Sequence, residues 1–131
     1  MSYNSPCYQL LKNNLYLRRK ELGKYAEDIA VGFLKRHGIK IIKRNFSCRL
    51  GEIDIIAKDN DIFVFVEVRS GRSPLFHHPL ESITNSKIKR LKILALNWLN
   101  YHRIEEENLR FDIITVVFNK TAEIEHIRDA F

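Results

Sequence analysis

Residues 51–70 read GEIDIIAKDNDIFVFVEVRS. Two runs rich in β-branched and aromatic residues predict two strands over 52–57 and 62–69 with the polar KDND as their turn. Glu52, Asp54, Glu67 and Arg69 stand inside this apolar run. Side chains alternate along a strand, and opposed residues of an antiparallel hairpin share a face. Ile53, Ile55 and Ala57 then form one face of the first strand, opposite Ile62, Val64, Val66 and Val68 of the second. Both sets belong in the core, so Glu52 and Asp54 fall with Phe63, Phe65, Glu67 and Arg69 on the other face. A loop at Asn60-Asp61 sets Asp54 opposite Glu67 and Glu52 opposite Arg69.

Two facing carboxylates repel unless a cation stands between them. A cross-strand pair of Glu52 with Arg69, leaving Asp54 to water, is one solution. A divalent metal ion between Asp54 and Glu67 is the other. Phe63 and Phe65 favour the metal, because they mark the same face as one covered by a helix. A carboxylate at the rim of a covered face is costly without a ligand. Mg²⁺ suits hard oxygens at about 2.0–2.1 Å and keeps several of its waters.

The flanking sequence supplies the cover. Leu22, Tyr25, Ala26, Ile29, Ala30, Phe33 and Leu34 follow helical spacing, with Gly38 as the stop. Residues 39–48 predict a first strand. Residues 86–102 return to helical spacing through Ile88, Leu91, Leu94, Ala95, Trp98 and Leu99. Residues 111–118 predict a further strand, and 122–127 an edge strand. The order gives an α/β protein with an αβββαβ core, its mixed central sheet flanked by helices. Residues 1–14 are polar and expected to be loosely ordered, with 15–131 forming a single domain. The long connection 70–85 carries Gly71, two prolines, His77 and His78. A loop of that length in a compact domain is often functional.

The net charge is +6, unevenly spread. Residues 1–50 hold 11 Lys/Arg and 3 Asp/Glu, and residues 70–103 hold 6 and 1. Between them, residues 51–69 hold 2 and 5. An acidic centre between basic flanks suits a polyanion laid across a metal site. The two cysteines have no CxxC spacing, which argues against a zinc site or disulfide framework and for a reducing cytoplasm. No apolar run approaches the ~20 residues of a membrane span. No phosphate loop, GxGxxG or Ser-His-Asp signature is present.

GEIDIIA followed by FVFVEVR resembles the YraN-like family of small bacterial proteins. The similarity runs from about Gly23 to Phe118 and takes in GKYAEDIA, Asn45-Phe46, SKIKRL and RFDIITV. The resemblance implies a restriction-endonuclease-like fold, the PD-(D/E)xK nuclease superfamily, with likeness to Holliday-junction resolvases. It implies a Mg- or Mn-dependent endonuclease acting on branched or damaged DNA. Position by position, Asp54 matches the first metal-binding aspartate and Glu67 the second acidic position. Glu27 matches the glutamate of the first helix, and Arg69 stands where the motif has lysine. Ile53 replaces the name-giving proline, and Ala26 stands where glycine is usual. The arginine is the departure of consequence, because it stays protonated and cannot act as a general base. It leaves a non-catalytic nucleic-acid-binding or partner-recruiting module as the alternative. Resolvase-like relatives imply a homodimer.

Helical geometry supports Glu27, which borders the apolar stripe, and directs Asp28 into solvent. Lys87 falls inside the apolar arc near a helix start, where a cation opposes the helix dipole. It is expected to turn toward the acidic face, as a phosphate contact or in place of the missing lysine. Lys24, Lys43, Arg44, Arg72, Lys89 and Arg90 are the expected contacts to the nucleic-acid backbone. His77 and His78 are adjacent, share no regular face, and are expected to be exposed. Asp112 is expected to be structural.

Overall fold

The computed structural model describes residues 19–71, 83–105, 108–118 and 121–131. Segment 1–14, Arg72, His77 and His78 lie outside the described residues. Helix α1 spans Arg19–Arg36, followed by strands β1 (Lys40–Cys48), β2 (Gly51–Asp59) and β3 (Ile62–Gly71). Helix α2 (Asn85–Tyr101) leads into β4 (Leu109–Phe118) and β5 (Ala122–Ile127). The five strands form one sheet in the order β1-β2-β3-β4-β5. Neighbours are antiparallel except β3 and β4, which are parallel. A parallel pair needs a crossover, and α2 supplies it.

Each helix covers one face of the sheet. Ala26, Ala30 and Leu34 of α1 bury against Ile55, Ala57, Val64, Val66, Ile114 and Val116. Leu91, Leu94 and Trp98 of α2 bury against Ile53, Ile56, Phe65 and Phe111. The Trp98 ring lies 5.8 Å from Phe63 and 6.1 Å from Phe65, so the face carrying the charged residues is covered as expected. Helix α1 ends at a left-handed glycine, Gly38 with φ 77°. The Ile39 amide reaches Leu34 O at 3.0 Å and the Gly38 amide reaches Lys35 O at 3.1 Å. These bonds close the last turn and turn Ile39 into the core.

Strand alternation is not regular through the site. Ile53 packs on the α2 side, whereas Ile55 and Ala57 pack on the α1 side. The single face expected for all three is therefore corrected. The change coincides with a kink in the neighbouring β1, where Asn45 is left-handed at φ 53°. The β1–β2 ladder passes from Arg44↔Ile55 to Phe46↔Ile53 and skips Asn45 and Asp54. Asparagine tolerates this conformation better than a branched residue. Phe46 and Ile53 turn together toward α2.

Away from the site, a buried polar cluster fastens the end of the chain. Asp112 is fully buried. It accepts from Arg110 Nε at 3.0 Å, from His126 Nε2 at 2.8 Å and from the Asp129 amide at 3.0 Å. Arg110 also reaches Asp59 at 3.0 Å, joining the β2–β3 hairpin to β4. Asp112 is structural, as its place in the sequence suggested. Hydrogen bonds from His126, Arg110 and Asp129 outweigh burial and hold its pKa below the usual carboxylate range.

Asp112→Ala leaves Arg110, His126 and a backbone amide without their buried acceptor. The substitution is expected to cost about 3–5 kcal/mol in urea unfolding. The depressed pKa also fixes a sign. Stability from the ionised carboxylate is complete above the ordinary aspartate range and is lost as pH falls through the lower folded pKa. An acid-unfolding midpoint unmoved by Asp112→Asn would mean that the cluster adds nothing to acid resistance.

Candidate functional site

The β2–β3 ladder runs from Asp59↔Ile62 to Ile55↔Val66 and stops there. Its register, continued one step, sets Asp54 against Glu67, as a two-residue Asn60-Asp61 turn requires. In place of a further ladder bond, the Val68 amide donates to Asp54 Oδ2 at 2.8 Å. The hairpin parts where the carboxylates begin. Two like charges on opposed residues disfavour closure, and the aspartate side chain takes over one backbone donor.

Asp54 carries the largest perturbation among the described residues. Burial, reinforced by the negative charge of Glu67, pushes its pKa up to about 7. The Val68 amide opposes this rise, and Glu27 and Glu52 add to it. Glu67 is itself buried at 8% exposure. Its Oε1 accepts from Lys87 Nζ at 2.8 Å. Lys87 is positioned by both ends. Its amide donates to the Oγ1 of Thr84, the N-cap of α2, at 3.1 Å, and its ammonium crosses to β3. A cation in the first helical turn is unfavourable with the dipole; the ion pair to Glu67 offsets that cost. The odd place of Lys87 in the apolar arc thus has a structural partner.

On the α1 side the glutamate of the first helix faces the same centre. The Glu27 side chain is 13% exposed and lies 3.6 Å from Arg44 Nη2. Burial raises its pKa against the opposing Arg44 charge and a hydrogen bond from Asn45. Glu27 Oε1 is buried without a hydrogen-bond partner, and so is Arg44 Nε. Asp28 was expected to be only solvated. Instead its Oδ1 takes Arg44 Nη2 at 2.6 Å, because β1 brings the guanidinium alongside that turn of α1.

Two cavities meet at Asp54. One of 530 Å³ lies toward α1, with Lys24, Glu27, Arg44, Glu52 and Asp54 on its wall. The other, of 360 Å³, lies toward α2 and is lined by Glu52, Asp54, Glu67, Lys87 and Arg90. Asp54 and Glu52 border both. Lys89 and Arg90 line an adjoining groove with Leu50 and Ile93. Lys43 is exposed on β1 and lines none of these three spaces. Arg69 is half-buried on β3, level with Thr115 of β4. A separate cavity of 310 Å³ lies by Leu96, Phe111 and Phe131. The Arg110 on its wall is already committed to Asp112 and Asp59.

The donor chemistry fits a hard divalent ion. Asp54, Glu67 and Glu27 offer carboxylate oxygens, and Glu27 Oε1 is a buried acceptor with nothing bound to it. Among the described residues no three acidic, histidine or cysteine side chains are already gathered as a metal cage. An ion such as Mg²⁺ can be held by one or two carboxylates plus water. Asn45 and Asp28 are the residues of this site whose roles sequence reasoning missed. An asparagine within an apolar strand was the one available signal, because it is the residue that permits a left-handed kink there.

The layered αβββαβ core defines an α/β protein with one five-stranded mixed sheet and a helix on each face. The chain belongs to the uncharacterised protein family UPF0102, whose family model matches residues 26–116. The match spans Glu27, Arg44, Asp54, Glu67, Arg69 and Lys87. A UPF0102 protein of Geobacter metallireducens is 42% identical over 116 residues, covering 88% of this chain and 95% of the relative. That of Caldicellulosiruptor saccharolyticus is 42% identical over 118 residues, covering 88% and 100%. That of Geotalea daltonii is 43% identical over 114 residues, covering 86% and 90%. No helix among the described residues is long and apolar enough to cross a membrane.

The raised pKa of Asp54 predicts an unusual stability profile. Between the ordinary aspartate range and about pH 7, the folded protein holds a proton that the unfolded chain has released. Stability therefore falls as pH rises through that window. Asp54→Asn keeps an acceptor for the Val68 amide and removes the charge. The substitution is expected to stabilise the protein at pH 8 by on the order of 1–3 kcal/mol, with a much smaller gain at pH 4. Urea unfolding at both pH values checks this; equal gains at both would assign the effect to packing instead of charge.

Proposed function

We propose that this protein is a Mg²⁺- or Mn²⁺-dependent endonuclease-like protein that hydrolyses phosphodiesters in DNA, including branched or damaged DNA. The observation that carries the reading is the carboxylate group around the break in the hairpin. Asp54 and Glu67 follow the last pair of the ladder and line one cavity, Glu27 approaches from α1, and burial with the Glu67 charge raises the Asp54 pKa to about 7. The fold has no need of this arrangement, whose charges oppose strand pairing. Perturbed carboxyls bordering cavities are the pattern expected of reaction centres.

Asp54 and Glu67 would hold the ion, with Glu27 completing its surroundings. When bound, such an ion activates water and neutralises charge on the leaving oxygen. The remaining work falls to the chain's own groups. Lys87, released from Glu67, would reach a phosphate oxygen. Arg69 would steady charge on the phosphorane-like transition state without accepting a proton. Lys24, Lys89, Arg90, and in sequence terms Lys43 and Arg72, would hold the backbone of the nucleic acid. Backbone contacts carry no base information, so recognition would follow shape. A cytoplasmic protein acting as a homodimer agrees with this reading.

A second reading has its own support. Glu67 already has Lys87, Glu27 has Arg44 close by, and Arg69 replaces the motif lysine. A protein content with those internal cations would be a nucleic-acid-binding or partner-recruiting module.

Isothermal titration of Mn²⁺ and Mg²⁺ into the wild type and Asp54→Asn/Glu67→Gln, with branched-DNA cleavage on the same samples, separates the two. The endonuclease reading expects metal binding and cleavage in the wild type and loss of both in the variant. Salt-dependent DNA binding without metal uptake would establish the module. Binding in either case should weaken with salt, log K falling by about 0.9 for each unit of log salt per phosphate neutralised. Arg69→Lys is expected to raise any cleavage rate; a lower rate would mean that arginine is adapted to its place.

A further inference from the structure

One guanidinium nitrogen serves two carboxylates unequally. Arg44 Nη2 lies 2.6 Å from Asp28 Oδ1 and 3.6 Å from Glu27 Oε1. The two acids are consecutive on α1, so their side chains leave the helix about 100° apart, with the guanidinium between them. Arg44 pairs in register with Ile55, whose side chain packs toward α1, and the kinked Asn45 follows it. The arginine is thereby aimed at the helix and not along the strand. Two buried atoms in this group have no hydrogen-bond partner, Glu27 Oε1 and Arg44 Nε. Buried polar atoms are seldom left so. Glu27 lines the cavity that Asp54 also lines.

We infer that Arg44 is an electrostatic latch on Glu27: it competes with a divalent cation for that carboxylate, and Asp28, which already holds the arginine at 2.6 Å, restrains it from closing fully on Glu27. The inference rests on the metal-site reading above and adds a positioning role for two residues outside the ion's own donor set. Arginine cannot lose its proton in a protein. Its charge can leave Glu27 only by moving, and Asp28 is the adjacent acid that already draws it away. The latch accounts for the long Glu27 contact beside the short Asp28 one. It also accounts for a glutamate that is buried yet unsatisfied.

The latch predicts opposite signs from two neighbouring substitutions. Arg44→Met removes the competitor and should tighten Mn²⁺ binding, on the order of tenfold. Asp28→Asn removes the alternative partner, leaves Arg44 to Glu27 alone, and should weaken Mn²⁺ binding by a similar factor. The double variant should match Arg44→Met, because Asp28 acts only through Arg44. Calorimetric Mn²⁺ titration of the three variants and the wild type, without DNA, reads this directly. Asp28 is a partly exposed helix residue, so Asp28→Asn keeps the test open where Arg44→Met folds poorly. If the wild type binds Mn²⁺ and either variant departs from its predicted sign, the latch is overturned and the metal site stands. If neither the wild type nor any variant binds Mn²⁺, the latch and the metal reading fall together.

Discussion

The hydrogen bond from the Val68 amide to Asp54 Oδ2 is the small substitution on which the site depends. Up to Ile55↔Val66 the hairpin is an ordinary ladder between two apolar strands. One step further the backbone donor goes to a side chain, and the strands separate. The separation opens the space that Glu52 and Asp54 border from both sides. A backbone amide donating to a carboxylate favours its ionised form. Here that effect is too small to overcome burial and the adjacent Glu67. Asp54 is thus held in place by one interaction and strained by two others, which is the condition of a group awaiting a counter-charge.

The cations around it answer the strain from outside. Lys87 comes from α2 and Arg44 from β1, each brought to its acid by an element whose main task is packing. The two helices lie on opposite faces of the sheet, so the acidic centre is approached from both layers. The crossover helix can do this because β3 and β4 are parallel. Its N-terminus must then return near the end of β3, close to Glu67. Topology therefore places Lys87 at the site as firmly as any local preference does.

Much of this could be read in the sequence, and what could not has a definite cause. The hairpin turn followed from the polar Asn60-Asp61, and the sharing of faces from alternation, while the exact opposites depended on the turn residues chosen. Lys87 could be singled out because a lysine inside an apolar arc has to go somewhere. Ile53 could not be placed. Its turn toward α2 coincides with the kink at Asn45, a neighbour on another strand, and alternation counted along one strand carries no information about a kink in the next. Asp28 was missed for a similar reason. A helical wheel shows which way a residue leaves its helix and not which strand will pass beside it.

Two strands of the sheet treat an enclosed acid oppositely. Asp112 is wholly buried, yet its bonds to Arg110, His126 and the Asp129 amide lower its pKa. Asp54 is less enclosed and has one such bond, and its pKa rises. Burial alone does not separate these residues, since it raises both. The number of donors and the sign of the neighbouring charges do. Asp112 is supplied with donors on both of its oxygens, and Asp54 is left short of them. By that measure Glu27, with Oε1 buried and unbonded, sides with Asp54. The polar geometry of one small sheet thus separates an acid whose bonds fasten the fold from acids whose burial is not matched by donors.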